Sequence, residues 1–86
     1  MKSGDEITGA DGRVYTVIQR KGIRFLLGVE SEQGTHFIVA HRPYPVKNNQ
    51  FAWDSDVYFG GDILRAARFL EQCTGGFYGT RNRNSE

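Results

Sequence analysis

Three aspartates, Asp54, Asp56 and Asp62, lie among Trp53, Tyr58, Phe59 and the pair Gly60-Gly61. Carboxylates spaced around glycine are what an oxygen-coordinated cation requires, which makes the stretch a candidate calcium loop. Such a loop needs oxygen ligands at its first, third and fifth positions, glycine at the sixth and glutamate at the twelfth. Counted from Asp54, the fifth, sixth and twelfth residues are Tyr58, Phe59 and Arg65, so the spacing fails. The acids read instead as the wet side of a strand, with Asp62 as a helix cap. The histidines fare no better. His36 and His41 are separated by an odd number of residues, which sends them to opposite faces of a regular strand. No metal site and no cofactor is expected.

Nucleophilic catalysis would fall to Cys73, the single cysteine, with His36 or His41 as base. Cys73 follows Ile63, Ala66, Ala67 and Leu70 at helical spacing, and a thiol on such a face is a small buried hydrophobe. No G-x-S-x-G elbow, phosphate-binding loop or dinucleotide fingerprint occurs. The cluster Thr74-Gly75-Gly76-Phe77-Tyr78-Gly79 follows a helix instead of opening one, so it lacks the amide-lined N-terminus that holds phosphate. Enzymatic activity is not expected.

Binding chemistry remains. Arg42, Tyr44 and Lys47 flank Pro43 and Pro45, and a stiffened segment of this kind offers contact area at low entropic cost. The same segment also reads as an ordinary stiff crossover loop. Arg65 and Arg68, on the polar side of the helix, are a second candidate protein-binding surface. The alternative is a nucleic-acid interface built from Arg13, Arg20, Lys21 and Arg24 with Tyr15 as a stacking platform. The overall charge does not favour it: eleven basic against ten acidic residues leave +1, too little for long-range steering of a polyanion.

These residues need a frame. Eighty-six residues, 38% hydrophobic and 13% aromatic, support one small domain whose core depends on its large rings. Short alternating runs at 5–8, 13–19, 23–30 and 35–41, broken by Gly9-Ala10-Asp11-Gly12, Arg20-Lys21-Gly22 and Ser31-Glu32-Gln33-Gly34, read as an antiparallel meander. The runs at 23–30 and 35–41 are apolar on both faces, as central strands covered twice must be. Arg42 to Gln50 reads as a loop. Phe51, Trp53, Val57 and Phe59 share one parity, so 51–59 reads as a last strand with Asp54 and Asp56 facing water. Asp62 then caps a helix that Thr74-Gly75-Gly76 stops, with Phe77 and Tyr78 folding back on the core. The expected fold is α+β: a meander of four to five antiparallel strands, with one C-terminal helix packed on it. The face away from the helix is covered either by curling, as in a barrel of SH3-like type, or by a second subunit. The domain is expected to span 1–79, with 80–86 a disordered polar tail. No apolar run long enough for a membrane span or a signal-peptide core occurs, and a cytoplasmic location is expected.

In order along the second half come Val39-Ala40, Trp53, Tyr58-Phe59, Asp62, and Ala67 and Leu70 within ILRAARFLEQ. This succession resembles small uncharacterised accessory proteins of bacterial mobile elements and phages. The resemblance implies an accessory or host-directed inhibitory role, of anti-defence type, and supplies no catalytic residue. The functional expectation is a non-enzymatic protein that binds another protein, with homodimerisation through an exposed sheet face as a further possibility.

Overall fold

Alternation over Val14–Lys21 (β2), Arg24–Ser31 (β3) and Gly34–His41 (β4) builds three long antiparallel strands. Two-residue turns join them; the first, Gly22-Ile23, has Gly22 at φ 61°, a value that suits glycine. Arg20 and Lys21 therefore belong to β2, and Ile23 stands half-exposed in the turn. A computed structural model of the chain describes residues 2–72. Cys73, the stop at 74–76, Phe77, Tyr78 and the tail at 80–86 lie outside the described residues.

Among the described residues, seven strands form one sheet, not four or five. Glu6–Gly9 (β1) pairs with β2. The segment read as a loop holds Tyr44–Val46 (β5), a 3-10 turn at Lys47–Asn49, and Gln50–Ala52 (β6). The supposed last strand is broken: β6 ends at Ala52, and a separate strand, Ser55–Gly60 (β7), follows Trp53-Asp54. The order is β5-β6-β1-β2-β3-β4-β7. Every pairing is antiparallel except β1 with β6, where Thr8 faces Gln50 and Gly9 faces Phe51 in parallel register. The purely antiparallel meander is thus corrected to a mixed sheet. It was missed because the β5–β6 hairpin leaves from the end of β4 and docks on the far edge, beside β1. The result is a curled half-barrel with one helix, Ile63–Gln72 (α1), on its outer side.

Both faces of β3 and β4 are buried, as their double alternation requires. Inside the curl lie Ile7, Tyr15, Val17, Phe25, Leu27, Val29, Ile38 and Ala40, with Phe51 and Trp53 packed against them. Under α1 lie Leu26, Phe37, Val39, Ala66 and Leu70, joined by Ile18, Phe59, Ala67 and Phe69. The four aromatic and aliphatic residues of 51–59 therefore do not share a face. Phe51 and Trp53 enter the curl, Phe59 meets Phe69 under the helix at 5.3 Å between centroids, and Val57 is exposed.

Two bulges fit the helix to the sheet. The register between β2 and β3 shifts at Ile18, so Gln19 and Lys21 turn to the helix side. Both then reach Glu71, at 3.3 and 2.6 Å. A similar shift in β4–β7 turns Phe59 towards α1. Asp62 caps the helix as expected: its Oδ1 accepts the Arg65 N–H at 3.0 Å, and its carbonyl accepts the Ala66 N–H at 3.1 Å.

Trp53 closes the curl. Its ring meets Tyr15 edge-on, at 5.1 Å and 88°, and its Nε1–H donates to Asp56 Oδ2 at 2.7 Å. Trp53→Ala should cost about 3 kcal/mol, a large share of the stability of so small a domain. Trp53→Phe, which keeps a ring but loses the hydrogen bond, should cost about 1 kcal/mol less than that. Urea unfolding checks both; an unchanged midpoint for Trp53→Ala would remove Trp53 from the fold's supports.

Candidate functional site

The sequence-proposed residues separate into several groups. Arg42 sits where the chain leaves β4, with φ 56°. Its Nε and Nη2 both donate to Asp54 Oδ2, at 3.1 and 2.6 Å. The carboxylate holds the guanidinium even more firmly protonated than usual, first through these hydrogen bonds and then through charge. Arg42 therefore ties the outgoing leg of the hairpin to its returning leg, and the Asp54 N–H reinforces the tie by donating to the His41 carbonyl at 3.3 Å. Tyr44 and Lys47 lie beyond this tie on the exposed hairpin. Arg65 and Arg68 are exposed on α1, which packs on β2, β3, β4 and β7, away from the hairpin. The five do not form one surface.

Of the nucleic-acid set, Arg20, Lys21 and Arg24 gather at one turn, whereas Tyr15 and Arg13 do not join them. Tyr15 is only 5% exposed, so its ring offers no stacking platform to a base. Arg13 precedes β2, whereas Arg20 and Lys21 end it, about 20 Å away along an extended strand. Lys21 is ion-paired with Glu71 at 2.6 Å, and this pair holds the Glu71 carboxyl below its usual range. Arg20 donates from Nε to the Gly22 carbonyl at 3.1 Å and lies over the Phe25 ring at 5.4 Å. Arg24 starts β3 across the same turn.

The histidines lie at opposite ends of β4. His36 Nδ1 is 2.8 Å from the Tyr58 hydroxyl, and its Nε2 is 3.4 Å from Ser31 Oγ. Ser31 Oγ donates to the Gly34 carbonyl at 2.9 Å and accepts the Gln33 N–H. Its proton is thus committed to the turn, and His36 is not placed to remove it. Among the described residues, no group of three His, Cys, Asp or Glu side chains is arranged to hold a metal ion. No described helix is long and apolar enough to cross a membrane.

Besides a small hollow of about 120 Å³ between Arg24, His41, Asp56 and Phe69, two concavities stand out among the described residues. A broad groove of about 660 Å³ lies beside α1, floored by Gly28 and bordered by Glu6, Arg13, Val14, Ile18 and Thr35. It is the part of the sheet's outer side that the ten-residue helix leaves uncovered. The second is a cleft of about 220 Å³ at the mouth of the curl, between Asp11, Tyr15, Phe51, Trp53 and Asp56. Three distant segments make it: the β1–β2 turn, the returning leg of the hairpin, and the start of β7. Asp11 receives the Tyr15 hydroxyl at 2.8 Å on Oδ2 and the Arg13 N–H at 3.0 Å on Oδ1. Gly9 is needed here, because an added Cβ would lie 2.8 Å from both Asp11 Oδ1 and Tyr15 Cε1. Asp56 is exposed, as its place on the wet side of the strand requires, but sequence reasoning placed Tyr15 on an outer platform. The signal it lacked was the hairpin that carries Phe51 and Trp53 over Tyr15.

Burial is the main reason the Tyr15 phenol is pushed up to about 12 from its ordinary value of 10.0; the hydrogen bond to Asp11 and the nearby carboxylates add to this. A raised pKa means the folded state holds the proton more tightly than the unfolded chain. The associated stability is fully present below pH 10 and is lost as pH rises through about 12. Ultraviolet titration should show a phenol step that runs up to about pH 12, coincident with alkaline unfolding, and Tyr15→Phe should abolish that step. Gly9→Ala should displace the Tyr15 ring and lower the unfolding midpoint; an unchanged midpoint and near-ultraviolet spectrum would contradict the close packing at this turn.

Compared with known protein families, with curated proteins and with solved structures, the chain matches none.

Proposed function

We propose that this chain is a non-catalytic binding module that engages a protein partner through the β5–β6 hairpin and the cleft behind it. The observation that carries this reading is the hairpin itself. All three residues of β5 are exposed, with Tyr44 45% and Val46 38% accessible. Yet the hairpin is held from behind by the parallel pairing with β1 and by the Arg42–Asp54 tie. A rigid surface with an accessible tyrosine and an aliphatic side chain loses little entropy on docking. Pro45 lies mid-strand, and an edge proline lacks the donor that strand addition needs, so recognition runs through side chains. Lys47 extends the surface at the hairpin tip. The resemblance to small mobile-element and phage accessory proteins is consistent with this role, since such a factor acts by occupying a surface of its target.

Immobilised wild-type protein should retain a protein from an extract of its native host, and Tyr44→Ala with Val46→Asp should reduce that retention about tenfold or more. Circular dichroism should report an unchanged fold. Equal retention by the variant would remove the hairpin from the interface, and retention of nucleic acid alone would overturn the reading.

A further inference from the structure

The cleft at the mouth of the curl has a composition that its structural duties do not exhaust. Its walls are the rings of Phe51, Trp53 and Tyr15, and Asp11 and Asp56 contribute carboxylates. Tyr15 is sealed into the core, whereas Phe51 and Trp53 remain partly accessible. Asp11 accepts the Tyr15 hydroxyl on Oδ2 and the Arg13 N–H on Oδ1, and Asp56 accepts the Trp53 Nε1–H on Oδ2. Neither takes part in an ion pair among the described residues; the two pairs there are Lys21–Glu71 and Arg42–Asp54. Arg13 borders the groove on the outer side of the sheet, although its charge reaches the Tyr15 phenol, and Arg24 borders a neighbouring hollow with Asp56.

Two carboxylates beside a partly open indole, in a cavity with room for several waters, match a cation with a flat face. A guanidinium meets both demands: its plane stacks on the indole while its N–H fork reaches carboxylate oxygens at the rim. An ammonium, compact and more strongly hydrated, gains less from the ring. Phe51 and Trp53 reach the cleft from the face of the hairpin opposite to Tyr44 and Val46, so a partner must wrap the hairpin to engage both.

We infer that the cleft formed by Asp11, Phe51, Trp53 and Asp56 receives an arginine side chain of the protein partner. This rests on the protein-binding reading, but its ligand chemistry can be tested without the partner. Trp53 is the single tryptophan, so its emission reports directly on the cleft. Titration with N-acetyl-arginine amide at constant ionic strength should give a saturable change, with half-saturation on the order of millimolar for so small a contact. The neutral isostere N-acetyl-citrulline amide should give none, and N-acetyl-lysine amide should bind about threefold or more weakly. Asp56→Asn, which keeps an acceptor for Trp53 Nε1 and removes the charge, should weaken the arginine response about tenfold. Equal responses to arginine and citrulline, tighter binding of lysine, or an unaltered response in a folded Asp56→Asn variant would each overturn the assignment. A partner retained through Tyr44 without any arginine response would leave the binding reading standing and refute this site; an arginine response with no retained protein would do the reverse.

Discussion

The shape of this molecule depends on two short covalent links. β6 and β7 are separated by five strand spacings in the sheet order, about 24 Å if the sheet were flat. Trp53-Asp54 joins them, and three Cα-to-Cα steps span at most about 11 Å. Arg42-Pro43 imposes the same demand between β4 and β5. No flat sheet of this order can be built, so the strands must curl until the far edge returns to β4. Curling places the inward side chains of β1 to β4 opposite the hairpin, and Phe51 and Trp53 supply the apolar lid. The inner core, the Arg42–Asp54 tie and the cleft are all consequences of that return.

The same constraint accounts for the division of labour between the two faces. The curl covers the inner face from within the chain, so the geometric need for a second subunit there disappears. Among the described residues, the outer face is covered by the ten-residue helix α1, which lies over Leu26, Phe37 and Val39 and does not reach the strip around Val14, Thr16 and Gly28. The bulges at Ile18 and Phe59 trim the sheet to that helix. They rotate Gln19 and Lys21 towards Glu71, and Phe59 towards Phe69. The surface ion pair adds little stability of its own; the burial of Ala66 and Leu70 holds the helix down.

Much of this was legible in the sequence, and the limits have physical causes. Double apolar alternation in 23–30 and 35–41 announced central strands, because only a doubly covered strand tolerates it. Helical spacing after Asp62 announced α1 and its cap. The hairpin was hidden because Pro43 and Pro45 look like strand breakers, whereas an edge strand accepts proline. The common parity of Phe51, Trp53, Val57 and Phe59 misled for a different reason. Parity assigns faces only within one strand, and Trp53-Asp54 carries the chain from one edge of the sheet to the other. The parallel pairing of Gly9 with Phe51 has no local signal at all, since it follows from chain closure. The cleft, built by that closure, was invisible for the same reason.

The central claim is that the hairpin folds back over the inner face and that Trp53 seals it against Tyr15, thirty-eight residues earlier in the chain. The most direct measurement is a proton nuclear Overhauser spectrum of the folded protein in solution. Cross-peaks between the Trp53 indole and Tyr15 ring protons are predicted, as their centroids lie 5.1 Å apart. A well-dispersed spectrum of a folded protein with no contact between these rings would contradict the closure, and with it the cleft that depends on it.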